Sequence, residues 1–174
     1  GYACALRAAE LGLRVALVER DKLGGTCLHR GCIPTKALLH AAEVADTTRE
    51  AGRFGIVASL DGIDLDAVSA YRRSVVSRLY KGLQGLVASR SIDLVQGVGR
   101  LSSASTVTVE DRVLTGRHIV LATGSYARTL PGIEIAGRIM TSDQALELDQ
   151  IPRRVIVLGG GVIGVEFASV FRSV

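Results

Sequence analysis

The strongest constraint on the fold of this chain sits near its far end. Arg154-Val155-Ile156-Val157-Leu158 is an apolar run, and Gly159-Gly160-Gly161-Val162-Ile163-Gly164 follows at once, leading into an apolar helical pattern with Glu166 near its start. A strand, a G-x-G-x-x-G loop and a helix in that order form the first turn of a Rossmann-like unit. The glycines let the backbone turn sharply and approach a pyrophosphate, while the helix start offers unpaired amides. The alternative is a tight turn with no ligand; the flanking strand and helix favour a dinucleotide site. An acid that reads the ribose should lie ~20 residues further on, beyond Val174, so NAD and NADP are not distinguished.

Residues 1–11 have helical spacing, and Gly12 stops them. Arg14 to Glu19 reads as a buried strand ending in an acid. Residues 20–32 read as a glycine-rich loop, and a helix starts near Pro34 and runs to about Arg49. Gly52 to Gly62 connects to a long helix, capped by Asp64 or Asp66 and ending near Ser89. Leu65, Val68, Arg72, Val75, Leu79, Leu83 and Leu86 mark its apolar face, with Arg72 the one polar break.

Ile92 to Val95 reads as a short buried strand leading into Gly97-Val98-Gly99-Arg100. Val107-Thr108-Val109 and Val113-Leu114-Thr115 alternate around a turn, as in a hairpin. His118 to Ser125 reads as a buried strand ending in small residues. Gly132 to Gln150 crosses over, with a short helix near Asp143 to Leu148. With 20 Gly, no Trp and 48% hydrophobic residues, the core must be built from small and branched aliphatic side chains. That suits a parallel sheet covered by helices.

The expected fold is therefore α/β. Residues 1–150 form a Rossmann-like three-layer domain with a small antiparallel β-hairpin insert. Residues 151–174 open a second Rossmann-like domain. Glu19 stands 18 residues after Gly1, where a ribose-binding acid belongs if Gly1 ends a glycine loop; otherwise it is a solvated acid at a strand end.

The net charge of +4 is spread over scattered basic residues with no nucleic-acid module around them, so nucleic-acid binding is not inferred. There is no long apolar run and no export signal, which makes a cytoplasmic protein without a membrane segment the expectation.

Three cysteines remain to be explained. Cys4, among alanines and leucine, reads as a small buried hydrophobe. Cys27 and Cys32 bracket Leu28-His29-Arg30-Gly31, a spacing unlike the two-residue spacing of thioredoxin-like sites or zinc knuckles. A metal site could recruit His29 and His40, but no second cysteine pair exists, so no metal is expected. The helix start after Cys32 and the cation of Lys36 favour a thiolate. The alternative, two inert core thiols, fits poorly with flanking His, Arg and Lys.

Gly24-Gly25-Thr26-Cys27-Leu28-His29-Arg30-Gly31-Cys32-Ile33-Pro34-Thr35-Lys36 resembles the redox segment of the class I pyridine nucleotide–disulfide oxidoreductases. The wording from Leu28 to Val44 resembles in particular the dihydrolipoamide-dehydrogenase branch. Ile119 to Ser125 resembles the family's second flavin motif, and Thr141 to Gly159 its lead into the NAD domain.

The resemblance implies FAD and NAD as cofactors. It makes Cys27 the thiol that exchanges with the substrate disulfide and Cys32 the one that passes electrons to the flavin. Lys36 lies near the reactive flavin nitrogen, and Gly25 and Thr26 belong to the same cofactor site. Glu19 holds the FAD ribose, Gly99 approaches the adenine, and Thr123, Gly124 and Ser125 line the pyrophosphate side. Gly159, Gly161 and Gly164 cradle NAD, with Glu166 on the nicotinamide side.

The implied partners are a lipoyl carrier domain of a 2-oxoacid dehydrogenase complex and a second copy of the chain in a homodimer. The implied reaction is oxidation of dihydrolipoamide with reduction of NAD+. The first glycine loop is absent apart from Gly1, and the family's C-terminal interface domain with its His–Glu pair lies outside the sequence. The 174 residues alone are therefore expected to be inactive. Mercuric and glutathione reductases, or a non-catalytic redox sensor, are the alternatives.

Overall fold

The computed structural model describes residues 1–174. The chain divides into two compact units, Gly1–Thr26 with Arg78–Ser125, and Cys27–Ser77 with Tyr126–Val174.

The first unit begins with helix α1 (Tyr2–Glu10). Gly12 has φ +80, and the chain turns there into strand β1 (Ala16–Glu19). β1 pairs in parallel with β2 (Asp93–Gln96), Val18 lying opposite Val95. Backbone bonds from Asp93 N to Val15 O and from Gly97 N to Glu19 O continue the ladder at both ends. The side chain of Val95 is fully buried, while β1 itself is only half-buried.

β4 (Thr106–Val109) and β5 (Arg112–Thr115) pair antiparallel around Glu110-Asp111. β3 (Arg100–Ser103) joins β4 on its other edge, so the insert is three-stranded. A salt bridge of 2.8 Å from Arg112 to Asp93 ties this sheet to the end of β2.

Two expectations about this unit need correction. Cys4 is exposed, because α1 turns Ala5 inward instead. Residues 118–125 form no strand, and Val120 and Leu121 are about two-thirds exposed (65% and 67%). An apolar run becomes a strand only where a neighbour completes its ladder, and no residue of this chain pairs with it.

The second unit is helical. α3 (Cys32–Glu50) runs into a 3-10 turn at Ala51–Phe54. α3 starts at Cys32, ahead of the expected Pro34. Proline is tolerated there because the first-turn amides have no acceptor inside the helix. α2 (Gly25–Arg30) lies between the units' sequence segments and converts half of the expected loop at 20–32 into helix. Gly24 and Gly25, with φ +116 and +64, make the turn that admits it.

α4 (Leu65–Ser89) has Asp64 as its cap, with Oδ1 accepting from the Ala67 amide at 3.0 Å. Arg72 is no break in its buried face: it is only 3% exposed. Its Nη1 and Nη2 donate to Glu147 Oε1 and Oε2 at 2.7 and 2.8 Å. Leu79 and Leu86, by contrast, are exposed, while Leu83 and Val87 are buried.

α5 (Ser142–Ala145) is shorter than expected, and the Gln144 side chain accepts from the Thr141 amide at its start. Residues 154–158 form no strand either, and Ile156 is 95% exposed. The reason is the same missing ladder. α6 (Val162–Ser173) follows the glycine loop, capped by Gly161, and packs along α3.

Candidate active site: a dithiol at the start of a helix

Cys27 sits on α2, and Cys32 is the first residue of α3. Both are exposed and unbridged, so the pair is a dithiol. The Cys27 thiol lies within hydrogen-bond reach of Cys32, and its pKa is raised above the ordinary 9.0. The largest cause is the hydrogen bond to the Cys32 sulfur, followed by partial burial and the Cys32 charge. A hydrogen bond that favours the neutral thiol raises its pKa, which is the direction found for Cys27.

The Cys32 backbone amide and the Lys36 charge act the other way. These are the two influences the sequence pointed to. Both are present, and for Cys27 both are outweighed. Cys27 thus holds its proton more firmly than a free thiol does. Two thiols in contact are poised to lose two electrons and two protons and close a disulfide.

Thr35 is buried, and its hydroxyl donates to Gly31 O at 2.7 Å, fixing the first turn below the sulfurs. Lys36 lies one turn in. Its Nζ donates to Glu166 Oε1 at 2.5 Å, and this bond is the leading cause of its raised pKa. Lys36 and Glu166 were anticipated separately; that they touch was not readable, because 130 positions separate them.

Glu166 stands on α6, just past the glycine loop. Gly159 has φ +109, and a Cβ on Gly164 would lie 2.3 Å from Gly159 O, so the helix can meet the loop only through a glycine. Gly160 and Gly161 have nothing within 4 Å of a notional Cβ, which leaves their backbone open to a ligand. An open backbone beside a helix start is what a pyrophosphate site requires.

The remaining anticipated residues lie in the first unit. Glu19 ends β1, and its Oε1 accepts from the Asp21 amide at 3.0 Å. Gly99 leaves room for Val18 and Val107: a Cβ there would meet their methyls at 3.2 and 3.3 Å. Gly25 and Thr26 open α2. Thr123, Gly124 and Ser125 are exposed, and Gly124 has φ +80. An acid at a strand end and an uncovered turn of small residues suit a dinucleotide's ribose and phosphates.

The whole chain, residues 1–174, matches the pyridine nucleotide-disulphide oxidoreductase family. The chain belongs to that family. Among curated relatives, it is 43% identical over 187 residues to a dihydrolipoyl dehydrogenase of Bacillus subtilis (strain 168), covering 99% of this chain and 40% of the relative. It is also 43% identical over 176 residues to a dihydrolipoyl dehydrogenase of Chlamydia pneumoniae, covering 99% and 38%.

Among solved structures, the HOCl-induced flavoprotein disulfide reductase RclA from Escherichia coli superposes with TM-score 0.78 at 30% identity. Its Cu(II) complex gives 0.75 at 28%. Each covers 99% of this chain and 37% of that one. The chain spans about two fifths of the length of the relatives it matches.

Proposed function

We propose that the full-length protein is a dihydrolipoyl dehydrogenase that oxidises dihydrolipoamide carried on the lipoyl domain of a 2-oxoacid dehydrogenase complex and reduces NAD+. The observation that carries this reading is the Cys27–Cys32 contact at the start of α3, with Lys36 one turn in and bonded to Glu166 beside the glycine loop. The 41–43% identity to several curated dihydrolipoyl dehydrogenases supports the lipoamide specificity.

In this reading Cys27 is the exchange thiol. From the disulfide state, a substrate thiolate attacks the Cys27 sulfur and releases Cys32 as thiolate. The second substrate thiol then frees Cys27, which takes up a proton. One disulfide is broken and one is made, so a pair of electrons has entered the protein. FAD held beside Cys32 would supply the two-electron acceptor through which that pair could pass on to NAD+. Lys36, held by Glu166, keeps a positive charge beside the relay. Glu19, Gly25, Thr26, Gly99 and Thr123 to Ser125 would hold FAD; Gly159, Gly161, Gly164 and Glu166 would hold NAD.

The proposal also assigns residues 1–150 to a flavin-binding domain and 151–174 to the start of an NAD-binding one. The working protein is a cytoplasmic homodimer, and the 174 residues alone are inactive.

Assaying the full-length protein with dihydrolipoamide, glutathione disulfide with NADPH, and Hg(II) with NADPH tests the specificity. Turnover is expected with dihydrolipoamide and NAD+ alone. Faster turnover with either of the other pairs would replace this reading with a glutathione- or mercuric-reductase one.

A further inference from the structure

α3 and α6 are joined by polar contacts at two places. At the near end stands the Lys36–Glu166 bond. At the far end the Ser173 hydroxyl donates to Asp46 Oδ2 at 2.5 Å. Arg49 Nη1 donates both to Asp46 Oδ1 at 2.9 Å and to the Ser173 carbonyl at 2.5 Å. Both helices advance from the first contact to the second, so they run parallel, with Cys32 and the glycine loop at their starts.

Between the contacts, α3 carries buried Ala42 and Ala45 on the face that bears Asp46 and Arg49. Alanine ridges are shallow, and ridges packed into grooves are what normally fix the axial register of two helices. α6 brings Phe167 and Val170, buried on the face that bears Ser173, against this shallow side, so the polar contacts add to packing in setting the register. Ser173 is only 3% exposed, and the Asp46 carboxyl is held below its usual range, first by the Ser173 bond and then by Arg49. The far contact is thus charge-assisted, with Ser173 buried and the Asp46 and Arg49 side chains part-exposed.

We propose that Asp46, acting through Ser173 and Arg49, is a positioning residue that locks α6 in register with α3 and so sets the glycine loop and Glu166 for hydride exchange with nicotinamide. This rests on the functional reading above. The dithiol side of the reaction exchanges at Cys27 and Cys32, on or before the first turn of α3, and meets α6 only through the Lys36–Glu166 bond.

The two half-reactions therefore separate the roles. In the full-length protein, stopped-flow reduction of the flavin is followed with NADH and, separately, with dihydrolipoamide, for wild type, Asp46→Ala and Asp46→Asn. Misplacement by ~1 Å far from the chemistry can cost about a hundredfold in rate. Asp46→Ala is expected to slow the NADH reaction about tenfold or more, and to leave the dithiol reaction within about twofold. Asp46→Asn keeps an oxygen for the Ser173 hydroxyl and is expected to recover part of the loss.

Amide hydrogen exchange supplies a readout apart from activity, and residues 162–173 are expected to exchange faster in Asp46→Ala. Equal slowing of both half-reactions, no change in either, or unaltered exchange in α6 would overturn the proposal. If neither donor reduced the wild-type flavin, the functional reading would fail instead, and the exchange comparison would decide the clamp by itself.

Discussion

At the scale of single residues, the chemistry turns on where one proton rests. The Cys27 thiol is hydrogen-bonded to Cys32 and is held above its ordinary pKa of 9.0. Alkylation of Cys27 by iodoacetamide, followed by mass spectrometry across pH, should therefore reach its midpoint above 9. In Cys32→Ala that midpoint should fall, because the bond and the neighbouring charge that raise it are both gone. An unchanged midpoint would remove the bond as its cause. The sign for stability follows: a raised folded pKa gives stability that is full below the unfolded value and is lost as pH rises past the folded one. The two sulfurs and their helix start were legible in Gly24 to Lys36, because redox chemistry demands those residue types in a short span. The direction of the Cys27 shift was not, since it depends on how the two sulfurs meet, and that is set in space.

At the scale of elements, the sequence marked Arg72 as a flaw in an apolar face, and the structure makes it the anchor of α4 to the segment after α5. Its guanidinium is buried, two nitrogens are paired to Glu147, and Nε has no partner. Glu147→Ala would strand a buried charge and should destabilise the full-length protein by about 1–3 kcal/mol in urea. That lies below the loss expected for a fully buried pair, because the Glu147 side chain is 66% exposed. Arg72→Met removes the charge and fills similar volume, so its loss should be smaller. The reverse ranking would show that packing by the Arg72 stem dominates. Arg72 lowers the Glu147 pKa below 4.5, so the pair's contribution is present above that value and disappears as pH falls through the folded one. Gly164→Ala would push a methyl against Gly159 O and should abolish NAD+ binding by calorimetry while flavin content is kept. Retained NAD+ affinity would detach the loop from that role. The loop and α6 were readable because their glycines are local; the Arg72 pair was not, because its partner is 75 positions away.

At the scale of the whole molecule, helices were more legible than sheets. A helix closes its hydrogen bonds within its own segment, so 3.6-residue spacing and a cap nearly suffice for α4. A strand needs a neighbour, and the apolar runs at 118–125 and 154–158 are paired with none. No helix is long and apolar enough to cross a membrane. The proposed chemistry requires Cys32 to face a flavin while Cys27 exchanges with substrate. Anaerobic addition of NADH to the full-length protein, recorded as an absorption spectrum, tests that most directly. Two electrons should leave the flavin largely oxidised, with a new long-wavelength charge-transfer band that is missing in Cys32→Ser. Complete bleaching of the flavin with no such band would contradict it.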